Sequence, residues 1–322
     1  MTHSVIFLSD EKPGHVNQAK GLLDALRTHT KFRVHTRSVK RHDQTCLITP
    51  SRLTECEKDP PQSASLLLGV GSRTHVPLLA MKQWYHCPVV VLMSPAACFR
   101  PFFDLCIVPE HDGVGGQNVI QTKGVLNGLR PAEKQKPPFG LILVGGPSAH
   151  HGWSDASVSE AVRKITEADD RVRWELTTSR RTPKETTLRL LDKQFSNLHT
   201  TPFYETDPDW LPQKLAAASY VWVTEDSVSM LYESLSAGCR VGVIPVRRRH
   251  KKASRVIRGL EKLLEEEWVF SLNRDSPQML FEQPPQVLQE AQRVASLVYD
   301  QCLLPQEALY CKPEHFSPPG EV

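Results

Sequence analysis

The chain of 322 residues is long enough for one large domain or two ordinary ones, and 40% of its residues are hydrophobic. Its formal net charge of +3 excludes a protein that is strongly basic or acidic throughout. Eight cysteines without a C-x-x-C pair argue against a zinc site and a disulfide framework. The N-terminus has no signal-peptide pattern, and no apolar run approaches the ~18 residues of a transmembrane helix, so we expect a cytoplasmic protein.

The first part of the chain alternates short apolar strands with helices, which is typical of a doubly wound α/β domain. A strand at 5–8 precedes a polar loop at 9–15 and a helix at 17–26. This loop is not G-x-G-x-x-G, so we do not expect a bound dinucleotide. Further strands are predicted at 32–39, 65–70, 87–93, 105–109 and 119–122, and the polar loops at 9–15, 71–75, 94–100 and 109–116 are predicted to meet at one edge of the sheet.

His15 is predicted to lie at this edge, just before a helix N-terminus. A histidine there can act as a general base near neutral pH. Asp10, Glu11 and Asp112 are alternative bases on the same rim. The competing interpretation of His15 is a loop histidine that only caps or packs.

The proline- and lysine-rich segment at 131–138 is predicted to separate two domains. A strand from 139 then leads into the glycine loop at 145–148, whose backbone N–H groups could approach a phosphate closely. The next strand, at 174–178, ends in Arg180 and Arg181 beside small hydroxyl residues, a pattern that suits an anionic ligand. A solvated basic turn is the alternative.

The stretch at 220–246 reads as strand, loop, helix and strand, which is half of a doubly wound sheet. Its polar loop, Thr224 to Ser229, would lie at a helix N-terminus, where a phosphate binds readily. Glu233 lies further along the helix and could accept hydrogen bonds from a ribose diol. The alternative is that Asp226 and Ser227 only cap the helix and that Glu233 only faces water.

A dense run of basic residues at 247–258 follows this stretch. It could face an anionic membrane surface, a sugar phosphate or water. No aromatic residues interleave with the basic ones, so nucleic acid is not an expected partner. A last helix at 284–303 is predicted to cross back to the first domain.

Five segments are spread over most of the chain: SDEKPGHVNQAKGL at 9–22, GVGSRT at 69–74, GGPSAHHGW at 145–153, TSRRTP at 178–183 and VTEDSVSMLYESLSAG at 223–238. Together they resemble the mitochondrial-fission Elm-type family. The two-domain plan is similar to GT-B glycosyltransferases such as the peptidoglycan GlcNAc transferase. This resemblance implies two Rossmann-like domains facing a cleft, with an acceptor domain at 1–133, a nucleotide-sugar domain at 139–285, and a crossing helix with a tail at 286–322.

The resemblance also implies roles for particular residues. The G-x-x-G-H loop of that enzyme group corresponds to Gly14 and His15, although Lys12 and Pro13 stand where a glycine is expected. The ribose-binding helix corresponds to Ser227 or Ser229 with Glu233. The predicted catalytic residues are His15 and Asp10. The predicted substrate-binding residues are Gly14, Asn17, Gln18, Gly71, Ser72, Asp112, Gly145, Gly146, Pro147, Ser148, Ser179, Arg180, Arg181, Thr182, Glu225, Asp226, Ser227, Ser229, Met230 and Glu233.

The function implied is metal-independent transfer of a sugar from a nucleoside-diphosphate donor, with no further cofactor. The expected acceptor is a lipid-linked sugar or an envelope glycolipid such as lipopolysaccharide, met at the inner face of the membrane through 247–258. The alternatives are a non-catalytic adaptor protein and a nucleotide-sugar epimerase. A short-chain epimerase would need a nicotinamide-binding glycine loop and a Tyr-x-x-x-Lys pair, and the sequence has neither.

Overall fold

The computed structural model describes residues 3–39, 63–132, 138–192, 195–249, 255–282 and 284–304. Within these residues the chain forms two six-stranded sheets with helices between the strands. The predicted α/β fold of two Rossmann-like halves is therefore confirmed.

The first sheet has the strand order β2-β1-β3-β4-β5-β6. Its elements are β1 (His3–Ser9), α1 (Pro13–Leu26), β2 (Phe32–Ser38), β3 (Leu66–Val70), α2 (His75–Tyr85), β4 (Val89–Leu92), β5 (Leu105–Pro109) and β6 (Val119–Thr122). The pairings from β2 through β5 are parallel. The sheet grows first to one side of β1 and then to the other, so its topological switch point lies between β1 and β3, where such sheets bind ligands.

The second sheet has the order β12-β11-β10-β7-β8-β9, and its pairings are parallel. Its elements are β7 (Phe139–Leu143), α3 (Asp155–Ala168), β8 (Arg173–Thr177), α4 (Lys184–Asp192), β9 (Leu198–Thr201), α5 (Trp210–Ala217), β10 (Tyr220–Thr224), α6 (Val228–Ser236), β11 (Arg240–Ile244), α7 (Arg255–Glu265), β12 (Val269–Ser271) and α8 (Pro277–Glu282). The switch point here lies between β7 and β10.

Each face of the second sheet is covered by its own apolar cluster, as expected for a parallel sheet. Two tryptophans in this sheet pack over glycines on neighbouring strands. Trp174 lies opposite Gly140, and Trp222 lies opposite Gly242. A Cβ on either glycine would lie 2.3 Å from the indole ring. The two glycines therefore make room for the largest side chains of the core.

The chain forms two compact units. One contains the segments 1–107 and 117–120 together with the chain from 291 onward, and the other contains 108–116 and 121–290. Helix α9 (Glu290–Val298) thus returns to the first unit, where Ser296 Oγ lies 3.3 Å from His29 Nε2. The predicted crossing helix is confirmed. The predicted domain boundary stays a prediction, and residues 133–137 lie outside the described part of the chain.

Several predicted boundaries differ from the structure. Helix α1 begins at Pro13 rather than at 17, because proline fits the first turn of a helix with its fixed φ and missing N–H. The last helix begins at Glu290 rather than at 284, and it ends in a π-helical turn, Tyr299–Leu303. Strand β12 and helix α8 were not predicted, since both are short.

Candidate functional site

Asp10 and His15 form a hydrogen-bonded pair at the switch point of the first sheet. His15 Nδ1 lies 2.9 Å from Asp10 Oδ1. The side chain of Asp10 is fully buried, whereas that of His15 is 16% exposed. His15 was predicted to lie in the loop before the helix. Because α1 begins at Pro13, it lies in the first helical turn instead. The turn brings the imidazole back over the end of β1.

The electrostatic setting keeps Asp10 ionised. Burial raises the pKa of its carboxyl, but hydrogen bonds from His15 and Lys12 outweigh burial and lower the pKa overall. An ionised Asp10 accepts the Nδ1–H of His15, which leaves Nε2 of the imidazole with its lone pair. This tautomer is the one that a general base requires.

Gly71 packs directly against the His15 ring. Its φ is +81°, and a Cβ at this position would lie 2.6 Å from His15 Cε1. Thr74 Oγ1 donates to the Gly71 carbonyl at 2.8 Å and holds the turn in place. Only glycine can therefore occupy position 71 without displacing the histidine.

The other residues predicted for this half differ in their exposure and position. Gly14 and Asn17 are exposed on the first turns of α1, whereas Gln18 is buried. Ser72 is exposed in a short 3₁₀ turn after β3. Asp112 lies in a 3₁₀ turn after β5 that belongs to the second unit. No atomic contact between these residues and a substrate is tested, so their binding roles stay predictions.

Asp226 is the centre of a hydrogen-bond network at the switch point of the second sheet. Its Oδ2 accepts from Gly146 N at 3.0 Å, from Arg181 Nη2 at 2.7 Å and from Ser227 Oγ at 3.0 Å. The network joins the loops that follow β7, β8 and β10. Within the described part of the chain, the buried Oδ1 of Asp226 has no hydrogen-bond partner.

Gly145 and Gly146 make this network sterically possible. A Cβ on Gly145 would lie 2.2 Å from Asp226 Oδ2, and one on Gly146 would lie 2.1 Å from the Arg181 carbonyl oxygen. The expectation that these glycines offer free N–H groups to a phosphate is wrong. Gly145 N donates to Thr224 Oγ1 at 2.7 Å, and Gly146 N donates to Asp226. The glycines allow the three loops to pack together.

The two neighbouring arginines have different surroundings. Arg181 donates to the carbonyls of Gly146 and Pro147 as well as to Asp226 and Ser227. Arg180 is exposed and has no ion-pair partner among the described residues. Arg180 is therefore the arginine that is available to an incoming anion.

The hydroxyl residues beside the arginines hold the same loop. Thr182 Oγ1 donates to the carbonyls of Val144 and Gly145 and accepts from Ser179 N at 2.8 Å. Their predicted contact with a substrate is not tested by these bonds. Their observed role is to fix the loop after β8 against the end of β7.

The N-terminus of α6 is not capped in the way the simpler interpretation assumed. Ser227 occupies the N-cap position, but its side chain makes no cap hydrogen bond and contacts Asp226 and Arg181 instead. The first-turn amides of α6 consequently receive no side-chain acceptor from the cap residue. Ser229 is exposed on this turn, and Met230 packs partly against the apolar core.

Glu233 is a largely buried carboxyl group in the middle of α6. Burial raises its pKa to about 7. No side-chain hydrogen bond to it is found in the part of the chain that the structure describes. A carboxyl with open hydrogen-bonding capacity and a pKa near neutrality suits a polar ligand such as a diol.

Glu225 has a different environment, since its carboxylate is already occupied. Its Oε1 accepts from Arg248 Nε at 2.5 Å and lies 3.8 Å from His151 Nε2. Burial raises the pKa of Glu225, but His151 and Arg248 together lower it below its usual value. The sequence interpretation missed His151 and the ion pair of Arg248, although His151 lies within the quoted GGPSAHHGW segment.

Two arginines of the basic segment at 247–258 bind other residues of the second unit. Arg248 is ion-paired with Glu225 and Glu261, and Arg249 Nε donates to the His151 carbonyl at 3.1 Å. Arg247 and Arg258 are exposed. Lys251 and Lys252 lie outside the described residues. Arg248 and Arg249 are exposed as well, so the contact of the run with a membrane surface, a sugar phosphate or water stays a prediction.

The expectation of metal-independent transfer rested on there being no D-x-D motif to hold Mg²⁺, but Asp207-Pro208-Asp209 is a D-x-D sequence. In the structure this sequence forms a turn before α5, in which Asp209 N donates to Asp207 Oδ1 at 2.9 Å. Among the described residues, no three His, Cys, Asp or Glu side chains are grouped to hold a metal ion.

None of the helices in the described part is long and apolar enough to cross a bilayer.

A family model matches most of the chain. The model of the family described as mitochondrial fission ELM1 matches residues 13–302. The chain belongs to the mitochondrial fission ELM1 family. The match runs from the start of α1 into the π-helical turn after the crossing helix and so includes every strand except β1, which confirms the resemblance. Curated protein sequences give no significant match.

Solved structures show the fold of this ELM1-family protein. MurG of Acinetobacter baumannii is 13% identical with a TM-score of 0.52, over 93% of this chain and 100% of MurG. A Listeria monocytogenes protein assigned as a UDP-N-acetylglucosamine 2-epimerase is 12% identical with a TM-score of 0.55, over 94% of this chain and 96% of that one. The fold is that of the GT-B glycosyltransferases, and it also occurs in a protein assigned as an epimerase.

Proposed function

We propose that this ELM1-family protein is a GT-B glycosyltransferase that takes a sugar from a nucleoside-diphosphate donor. The observation that carries the proposal is that polar clusters occupy both switch points. The second sheet brings three loops together beside the exposed Arg180 and the first turn of α6. A diphosphate would meet Arg180 and the amides of that turn there. Glu233, deeper on α6, would accept hydrogen bonds from the ribose diol.

The first sheet would supply the base. Asp10 holds His15 in the tautomer whose Nε2 can accept a proton from an acceptor hydroxyl. As the acceptor oxygen attacks the sugar carbon, the bond from that carbon to the diphosphate breaks, and the negative charge on the leaving diphosphate is stabilised by Arg180 and the helix amides. We propose that this transfer needs no metal ion.

The acceptor that we propose is an envelope glycolipid, of the lipopolysaccharide or lipid-linked type, met at an anionic membrane surface. The support is the exposed Arg247 and Arg258, together with Lys251 and Lys252 of the same run. Each basic side chain near an anionic surface contributes about 1 kcal/mol of attraction. A peripheral position on the cytoplasmic face of the membrane follows from this proposal.

A donor-turnover assay tests the proposal. The purified protein is incubated with nucleotide sugars and membrane lipid extract, and the products are read by mass spectrometry. We expect a glycosylated lipid, and a rate lowered by about 10²-fold or more in His15→Ala. Turnover that is unchanged in His15→Ala would contradict the assignment of the base.

The same assay separates a second candidate, a sugar-nucleotide epimerase. The argument against an epimerase from the sequence covers only enzymes that use a nicotinamide, and a fold neighbour is assigned as an epimerase. If the donor sugar changes configuration without an acceptor and no lipid is glycosylated, the epimerase assignment replaces the transferase. If neither product forms, the adaptor interpretation gains support.

A further inference from the structure

A short antiparallel contact joins two loops at the carboxyl edge of the second sheet. His151 and Arg248 form an isolated β-bridge. Gly152 N donates to the Arg247 carbonyl at 2.7 Å, and Arg249 N donates to the His150 carbonyl at 2.8 Å. We call residues 150–152 and 247–249 the clasp. It ties the loop after β11 to the chain that immediately follows the glycine loop at 145–148.

The side chain of Arg248 extends the clasp to a third loop. Its Nε lies 2.5 Å from Glu225 Oε1, and its Nη1 lies 2.7 Å from Glu261 Oε1. Glu225 is buried and directly precedes Asp226 at the end of β10. The Glu225 carboxylate also lies 3.4 Å from Val246 N, which donates to its Oε2. One guanidinium therefore links the ends of β10 and β11 with helix α7.

His151 fills the space between Glu225 and the glycine loop. It is 2% exposed, its Nδ1 lies 3.2 Å from Ser148 Oγ, and its Nε2 lies 3.8 Å from Glu225 Oε1. Ser148 Oγ also accepts from His151 N at 3.1 Å, so the imidazole and the serine fix each other. The glycine loop at 145–148 is thus held by His151 in addition to Arg181.

We propose that Arg248 and His151 are positioning residues of the nucleotide site. They act through Glu225 and Ser148 and hold the loops at 145–148 and 225–227 in the conformation that binds the nucleotide. The nucleotide part of this inference rests on the proposed function, whereas the loop arrangement does not. A loop that is already ordered loses less conformational freedom when a ligand binds, so its affinity is higher. One arginine of the basic run, Arg248, then supports the donor site.

The first test uses the full-length protein without ligand. Amide hydrogen exchange is compared among the wild type, Arg248→Ala and Arg248→Lys, with Arg247→Ala as the matched control, because Arg247 contributes only its backbone carbonyl to the clasp. We expect exchange in peptides covering 145–152 to rise at least tenfold in Arg248→Ala and to stay unchanged in Arg247→Ala. Exchange over 3–26 in the first unit should not change. Exchange in Arg248→Lys should lie between that of the wild type and that of Arg248→Ala, since one ammonium cannot bridge Glu225 and Glu261 as the guanidinium does.

The second test is calorimetric titration with UDP, GDP, ADP and dTDP at a temperature where every variant is folded. Arg248→Ala should raise the Kd of the nucleotide that binds by at least tenfold, and Arg248→Lys should recover part of the loss. A variant that lowers the melting temperature but leaves both loop exchange and Kd unchanged would overturn the proposal. If Arg248→Ala does not fold, His151→Gln takes its place with the same expected results.

The two tests fail separately. If the wild type binds none of the four nucleotides, the proposed function is contradicted, and the loop-holding role is decided by hydrogen exchange alone. If a nucleotide binds and Arg248→Ala shows wild-type exchange and affinity, the proposed function stands and the positioning role is wrong.

Discussion

Glu233 is a carboxyl group that the fold keeps largely out of water. Its pKa of about 7 in the folded chain exceeds the ordinary 4.5 of an unfolded chain because of burial. Between these two values the folded state holds more protons than the unfolded state, so the free energy of unfolding falls as pH rises from about 4.5 to 7. A carboxyl group whose pKa is raised by burial stabilises the protein least at neutral and alkaline pH.

Glu233→Gln should therefore remove this pH dependence. We expect the variant to be more stable than the wild type above pH 7, by up to about 3 kcal/mol, and nearly equal to it near pH 4.5. Urea unfolding at a series of pH values measures the difference. Glu265→Gln, at an exposed position on α7, is the control and should show no such trend. Parallel pH profiles for wild type and Glu233→Gln would refute the burial-raised pKa.

The same carboxyl gives nucleotide binding a pH dependence. A ribose diol donates to the ionised form, so binding to the wild type should strengthen as pH rises from 6.5 to 8.5 and should release protons. Titration calorimetry in two buffers of different ionisation enthalpy counts these protons. In Glu233→Gln the affinity should be lower and independent of pH over this range. Equal proton release by both proteins would place the ribose elsewhere.

Arg180 and Arg181 should behave differently on substitution. Arg180→Ala removes an unpaired exposed cation, so stability should change by less than about 0.5 kcal/mol. Nucleotide affinity should nevertheless fall about tenfold. Arg181→Ala removes the partner of the buried Asp226, so the free energy of unfolding should fall by about 2 kcal/mol. Chemical denaturation measures the stability of both variants, and calorimetric titration measures their nucleotide affinity. If Arg180→Ala loses stability and Arg181→Ala loses only affinity, the assigned roles of the two arginines are exchanged.

At the scale of elements, the glycine loop after β7 is a packing device. Gly146→Ala would place a Cβ 2.1 Å from the Arg181 carbonyl oxygen, so the loops after β7 and β8 would have to separate. We expect a loss of at least about 2 kcal/mol in the free energy of unfolding, together with weaker nucleotide binding. Thermal and urea unfolding measure the loss.

Gly14→Ala is the matched control for this substitution. Gly14 lies in the first turn of α1, and a Cβ there meets nothing within 4 Å. Alanine favours the helix, so stability should rise by about 0.5 kcal/mol. If Gly146→Ala is as well tolerated as Gly14→Ala, the loops are not packed as described.

The elements that carry the site were predictable because their signals are local. The strand at 220–224, the helix that follows it and the stop at Gly238, with φ of +71°, all follow from hydrophobic spacing and from glycine. The strand–loop–helix plan around Gly145 was predictable for the same reason. The ELM1-family resemblance and the GT-B fold are confirmed.

What the sequence could not supply were partners distant along the chain. The bonds from Arg181 to Asp226 and from Arg248 to Glu225 join residues 45 and 23 positions apart. Nothing local distinguishes Arg248 from its basic neighbours, so the run at 247–258 was treated as one segment that faces a membrane surface, a sugar phosphate or water. The free N–H groups expected at Gly145 and Gly146 were wrong for the same reason, since their acceptors lie on β10 and in the loop that follows it.

At the scale of the whole molecule, Arg248 differs from the exposed Arg247 and Arg258 because it is ion-paired with Glu225 and Glu261. Neutralising Arg247, Lys251, Lys252 and Arg258 together should weaken binding to vesicles of phosphatidylglycerol at least tenfold and leave nucleotide affinity unchanged. Arg248→Ala should raise the Kd of the nucleotide and leave binding to the vesicles unchanged. Vesicle co-sedimentation and calorimetry on the same preparations test both statements. Loss of vesicle binding in Arg248→Ala alone would place that arginine outside the donor site.

The central claim is that the second unit binds a nucleoside diphosphate. The most direct measurement is a thermal-shift panel of the wild type against UDP, GDP, ADP, CMP and dTDP, repeated with Arg180→Ala and Gly14→Ala. One nucleotide at saturating concentration should raise the melting temperature by about 5 °C, with the shift kept in Gly14→Ala and reduced in Arg180→Ala. A folded wild-type protein whose melting temperature none of the five nucleotides changes would contradict the glycosyltransferase account.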